Sequence, residues 1–177
     1  MKPPILNIHD VQPIPRPPEH CPTGPAAERF GVSTAPLGRP LGAEKLGYNL
    51  TCVPPGKAAY PFHSHRQNEE MVLVVAGTGT LRLGGERFPL RVGDVVALPP
   101  GGPETAHQII NTGSEELRYL AVATRIGPEI CDYPDSRKFG VYSEVAPDKD
   151  GKPQFFHFMG RESQCLDYWD GEGAKPG

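Results

Sequence analysis

Apolar positions in this chain come in short runs broken by turn residues, a pattern of strands rather than helices. Leu46-Gly47-Tyr48-Asn49-Leu50-Thr51-Cys52-Val53 alternates and reads as a strand, which Pro54-Pro55-Gly56 ends. Met71 to Val75 is a continuous apolar run and predicts a buried strand. Thr80 to Leu83 and Glu86 to Leu90 flank Gly84-Gly85 and predict a hairpin, with both glycines taking the positive φ of a tight two-residue turn. Asp94 to Leu98 and Leu117 to Thr124 extend the series, and no segment of ten or more residues holds a helical period. Short strands at this spacing predict an all-β barrel or sandwich.

Three zones follow. Residues 1–45 form a Pro-rich arm, in which Pro13, Pro15, Pro17, Pro18, Pro22 and Pro25 argue against any helix or central strand. The strand series occupies residues 46–126. Residues 127–177 are polar yet carry eight of the fourteen aromatic residues, so this extension is expected to pack on something. Phe155-Phe156-His157-Phe158 reads as a strand or short hairpin after Asp150-Gly151 that covers the barrel flank; a lid or a dimer contact is the sharper alternative.

Candidate chemistry concentrates where the strands begin. His63 and His65 point the same way on an extended chain, with Cα atoms about 6.6 Å apart, so both imidazoles can grip one ion. Glu69-Glu70 stands at the mouth of the apolar run, where an ionised carboxylate is costly without a cation beside it. Either pair alone reads more simply as solvated turn residues. Downstream lies a second block, Gly93-Asp94-Val95-Val96-Ala97-Leu98-Pro99-Pro100-Gly101, then Ala106-His107-Gln108-Ile109-Ile110-Asn111.

Together these blocks resemble the two motifs of the cupin superfamily. His63 and His65 match H-x-H, four residues separate His65 from Glu70, and six separate Glu70 from Gly77. Gly93, Pro99 and Gly101 match the second motif, followed by a His and an Asn. The resemblance covers roughly Leu46 to Thr124 and implies a double-stranded β-helix, the cupin or jelly-roll barrel, with N- and C-terminal extensions. It implies one divalent metal held by His63, His65, Glu70 and His107. Five residues separate Gly101 from His107 where two are usual, so Gly102 to Ala106 reads as an insertion beside the site. Glu69 ranks second to Glu70 as the carboxylate ligand. Small bacterial cupins that resemble the whole chain, including Leu46 to Thr51 and Asp132 to Ser136, are described as sugar-phosphate isomerases by inference from fold.

Three imidazoles and a carboxylate suit Fe or Mn, with Zn, Ni or Co as other occupants. Two classes of chemistry are compatible: a dioxygenase, or Lewis-acid isomerase and lyase chemistry. A non-catalytic small-molecule binder is the remaining reading. Tyr60, Gln67, Gln108 and Asn111 neighbour the ligands and are candidate substrate contacts; Val72, Val74 and Ile109 are expected to wall the cavity. A phosphorylated substrate would need a cationic cradle, for which Arg66, Arg82, Arg91 and Arg118 are candidates.

Composition narrows the partners. A net charge of −3 with no basic run offers no footprint for nucleic acid or an anionic membrane, which leaves a small-molecule substrate. The first residues lack a secretory apolar stretch, so a cytoplasmic protein is expected. Cys21, Cys52, Cys131 and Cys165 form no C-x-x-C pair and read as reduced, Cys52 packed and Cys165 exposed. A homodimer is expected, because arm, aromatic extension and barrel edges all need cover.

Overall fold

The computed structural model describes residues 4–152 and 154–173; the outermost residues of both extensions lie outside the described residues. Its strands are β1 (Ile14–Pro15), β2 (Ser33–Pro36), β3 (Leu46–Val53), β4 (Ser64–His65), β5 (Glu70–Ala76), β6 (Gly79–Leu83), β7 (Glu86–Leu90), β8 (Val95–Leu98), β9 (His107–Ile110), β10 (Leu117–Thr124), β11 (Glu129–Tyr133), β12 (Lys138–Val145) and β13 (Gln154–Gly160). They form three antiparallel sheets in the orders β1-β2-β3-β10-β5-β8, β13-β12-β11-β4 and β7-β6-β9. The fold is all-β, a jelly-roll barrel with extensions at both ends.

Alternation on each strand builds the interior. Val53, Val72, Val74, Val96, Leu98, Leu117 and Tyr119 from the six-stranded sheet meet Leu81, Leu90 and Ile109 from the three-stranded one. The opposite face of β3 sends Leu50 and Cys52 outward, where Ala35, Leu37 and the partly buried Leu6, Ile8 and Val11 of the arm cover them. The arm thus seals the outer face of the large sheet, and β3 is buried on both sides. Gly77 takes φ +76°, and a Cβ there would stand 2.6 Å from the Glu116 carbonyl oxygen, so only glycine permits this close crossing.

Two local expectations need correction. The arm does hold a helix: α1, Pro25–Arg29, starts on the very proline expected to forbid one. Proline at the first helical position lacks an N–H that would be unpaired anyway, and its fixed φ suits the turn. In the β6–β7 hairpin only Gly84 takes the left-handed φ, +54°; Leu83 still pairs with Glu86, so one such residue suffices.

The extension after residue 127 is a three-strand meander, and β11 pairs with β4 by placing Cys131 opposite His65 and Asp132 opposite Ser64. Among the described residues the aromatic strand β13 pairs only with β12, and Phe155, Phe156 and Phe158 are 58%, 51% and 47% exposed. They do not cover the barrel flank, contrary to the simpler expectation. No helix among the described residues is long and apolar enough to cross a membrane.

Candidate metal centre

The chain brings its three motif histidines together by backbone pairing. His63 donates its N–H to the His107 carbonyl at 3.0 Å, and His107 returns the bond at 2.7 Å. His65 sits two residues beyond His63 on the same face, and its carbonyl accepts from Gly101 at 2.8 Å. The insertion closes into a 3-10 turn, Pro103–Thr105, and delivers His107 to the start of β9. Ring centroids lie 5.0 Å apart for His63 and His65, and 4.7 Å for His63 and His107.

Glu70 opens β5 and completes the group. Its Oε2 is 3.1 Å from His107 Nε2 and 3.4 Å from His65 Nε2. Ligand atoms of His63, Glu70 and His107 all lie within 4.8 Å of one another. Glu69, one residue earlier, is exposed. Burial works to raise the Glu70 pKa, but the His107 hydrogen bond and the surrounding imidazoles outweigh it and hold the carboxyl below its ordinary value.

A divalent cation fits this group. His65 Nε2 is buried and has no hydrogen-bond partner. His63 Nδ1 donates to the Pro61 carbonyl at 2.8 Å, which fixes the tautomer and leaves Nε2 with its lone pair. Burial, helped by the neighbouring His107 and His65, lowers the His63 pKa to about 4, so the ring is neutral and ligand-ready near pH 7. Separations of 3.1 and 3.4 Å are those of neighbouring ligands around an ion bound at about 2.1 Å.

Behind this group stand side chains of the C-terminal extension, which sequence reasoning missed. Glu129 is buried, and its carboxylate accepts from the backbone N–H groups of Arg66, Gln67, Asn68 and Ile130 at 2.9 to 3.2 Å. It also takes the Asn68 side-chain amide and stands 3.7 Å from His65 Nδ1. One carboxylate therefore ties the loop between His65 and Glu70 and faces the back of the His65 ring. Cys131 Sγ is 3.3 Å from the same Nδ1. Burial and the carboxylates of Glu129, Glu70 and Asp132 push this thiol up to about 12, so it is protonated and acts as a neighbour of His65 rather than as a thiolate. The alternation of Glu129, Cys131 and Tyr133 was the available signal, but β4, the strand they serve, lies more than sixty residues earlier.

The group forms one wall of a cavity of about 400 Å³. Val72 and Ile109 line it as expected, as do the side chains of Tyr60 and Gln108, whereas Val74 lies in the core. Gln108 donates to the Tyr60 carbonyl at 2.8 Å. Gln67 and Asn111 do not line the cavity. Gln67 donates to the Pro128 carbonyl, while Asn111 is fully buried and spends its amide on Val53, Glu115 and Gly113. Tyr133 and Tyr142 were not foreseen; their hydroxyls meet at 2.9 Å in the cavity wall, and the Tyr133 ring lies 6.1 Å from His63, nearly parallel. The four candidate arginines are absent from the lining: Arg66 pairs with Asp132, Arg82 with Asp135, Arg91 with Asp94 and Arg118 with Glu116.

Known proteins resemble this chain in sequence and fold to different extents. Residues 49–123 match the family model described as the cupin domain. The oxalate-binding protein of Thermotoga maritima is 33% identical over 70 residues, which are 40% of this chain and 54% of that protein. The chain spans about half the length of the curated relatives it matches. The structure of a sugar phosphate isomerase from Silicibacter pomeroyi is 26% identical, covers 94% of this chain and 98% of its own, and gives a TM-score of 0.72. A structure from Acidithiobacillus ferrooxidans, also 26% identical, covers 86% and 91% with a TM-score of 0.67. The barrel, its paired motifs and these relatives agree on a cupin domain over residues 49–123.

Proposed function

We propose that this chain is a metal-dependent enzyme acting on a small oxygenated molecule, with His63, His65, Glu70 and His107 holding one divalent ion, Fe or Mn in preference to Zn, Ni or Co. The observation that carries this reading is the buried, partnerless His65 Nε2 aimed at a carboxylate that a second imidazole also approaches, on the wall of a cavity. When bound there, the ion would supply Lewis-acid polarisation of a substrate oxygen.

The chain's own groups do the rest. Burial and the hydrogen bond to Tyr142 push the Tyr133 phenol far above its ordinary pKa, so it keeps its proton and offers a hydrogen bond to a substrate oxygen beside the ligands. Tyr142 donates its hydroxyl proton to the Tyr133 oxygen, which leaves the Tyr133 proton free for the substrate, and its own oxygen lies 3.4 Å from Met159 Sδ. Val72, Ile109, Ala121 and Leu98 exclude water around the reacting carbons. Isomerase or lyase chemistry uses such proton-carrying walls, and the Silicibacter pomeroyi relative is named for sugar phosphate isomerisation. We place the protein in the cytoplasm as a homodimer, with the open edge of β13 as the contact.

Elemental analysis of anaerobically purified protein, followed by oxygen uptake and isomer analysis with diketones, catechols and sugar phosphates, tests this reading. About one equivalent of metal with turnover and no oxygen uptake supports it. Substrate-dependent oxygen uptake replaces it with a dioxygenase, and absence of metal at every step leaves a binding module. Tyr133→Phe is expected to keep the metal and lose turnover by about tenfold or more.

A further inference from the structure

The cavity at the metal ligands does not end at Glu70. A second cleft, of about 350 Å³, shares Asn49, Glu70, Ala121 and Ala123 with it and continues outward to Arg39 and Arg125. Register explains the passage. Ala123 lies between Gly47 on one side and Glu70 on the other, and Ala121 lies between Asn49 and Val72. Glycine and alanine at these positions leave room where larger side chains would close the barrel mouth. Arg125 follows two residues after Ala123, about 6.6 Å along the same face. Arg39 comes from the arm, in the 3-10 turn Arg39–Leu41.

We propose that this cleft is an anion subsite in which Arg39 and Arg125 hold the phosphoryl group of a substrate whose oxygenated carbons reach the metal ligands. The inference rests on the metal-site reading for the substrate's other end. Both arginines are exposed at the rim. Among the described residues Arg39 makes no ion pair, and Arg125 pairs only with Glu144, whose side chain is 62% exposed. An exposed pair of that kind contributes little, so a phosphoryl group can take its place at small cost. Two guanidinium forks offer more donors than the two oxygens of a carboxylate can accept, whereas a phosphoryl group presents three terminal oxygens. No Lys or Arg lines the inner cavity, and the cleft that opens from it past Glu70 supplies two. The subsite also gives the Pro-rich arm a task beyond covering β3.

Isothermal titration with inorganic phosphate tests the subsite, using both chelator-treated and metal-loaded protein. Phosphate is expected to bind in both forms, with affinity about tenfold lower in Arg39→Met and in Arg125→Met. Glu144→Gln is expected to tighten it, and thermal melts confirm that each variant folds. Phosphate that binds only the metal-loaded form, that ignores both arginine variants, or that does not bind at all overturns the subsite. Acetate binding as tightly as phosphate overturns the phosphoryl assignment. The chelator-treated arm separates this outcome from failure of the metal reading, which is read by metal content alone.

Discussion

Glu70 Oε2 lies 3.1 Å from His107 Nε2 although the two residues are 37 positions apart, a span that includes the five residues between Gly101 and His107. The His63–His107 backbone bridge makes this possible, since it fixes His107 by main-chain bonds that do not depend on insertion length. His63→Ala, His65→Ala and His107→Ala are each expected to lower bound metal by tenfold or more on the scale of about 10–100-fold per lost interaction. Metal content after dialysis measures this. Full occupancy in His107→Ala would remove His107 from the ligand set.

Glu129 holds three backbone N–H groups of the loop that joins His65 to Glu70, and that of its neighbour Ile130. Glu129→Ala strands those donors and the Asn68 amide and is expected to cost about 2–4 kcal/mol of stability. Metal affinity should fall about 10–100-fold as well, because the loop sets both ligands that flank it. Urea unfolding and metal titration read the two effects separately. Unchanged metal affinity in a destabilised variant would make Glu129 purely structural.

These two sites differ in how far the chain itself reveals them. His63, His65 and Glu70 are legible because one short segment sets their spacing, and strand alternation then fixes their common face. Leu46 to Val53 and the hairpin around Gly84 are legible for the same reason. Glu129 and Cys131 are not, because their role depends on β11 pairing with β4, a contact that no local period encodes. Asn111 shows the converse: its place in the motif suggests chemistry, yet its side chain closes a turn between Val53, Gly113 and Glu115. Pro25 likewise carries two meanings, breaker in mid-helix and starter at its first residue, and only the helix boundary decides between them.

Acidification should destabilise the metal-free protein. His63 titrates near 6.5 when exposed and at about 4 when folded, so between those values the unfolded chain binds a proton that the folded chain refuses. Stability therefore rises with pH across that window and falls as pH drops from 6.5 towards 4, by up to about 3 kcal/mol. Glu70, also depressed in the folded chain, acts in the same direction. Melting temperatures in chelator from pH 7 to pH 4.5 should fall, and the fall should shrink in His63→Gln. A flat profile would show that the imidazole is open to solvent.

The free edge of β13 makes a separate claim about assembly. Phe156 and Phe158 point to one face of the strand and Phe155 and Met159 to the other, and all are more than a third exposed. Among the described residues no strand pairs with its outer side, so its N–H and C=O groups and both apolar faces stand open. Antiparallel pairing with the same strand of a second copy satisfies the edge N–H and C=O groups and sets the aromatic side chains of the two copies beside each other on each face. Light scattering of the full chain should therefore give a dimer, and Phe156→Glu combined with Phe158→Glu should give a monomer. Because these side chains are exposed in the single chain, the double variant should keep its fold by circular dichroism. A wild-type monomer, or a dimer that survives the double substitution, would place the contact elsewhere or remove it.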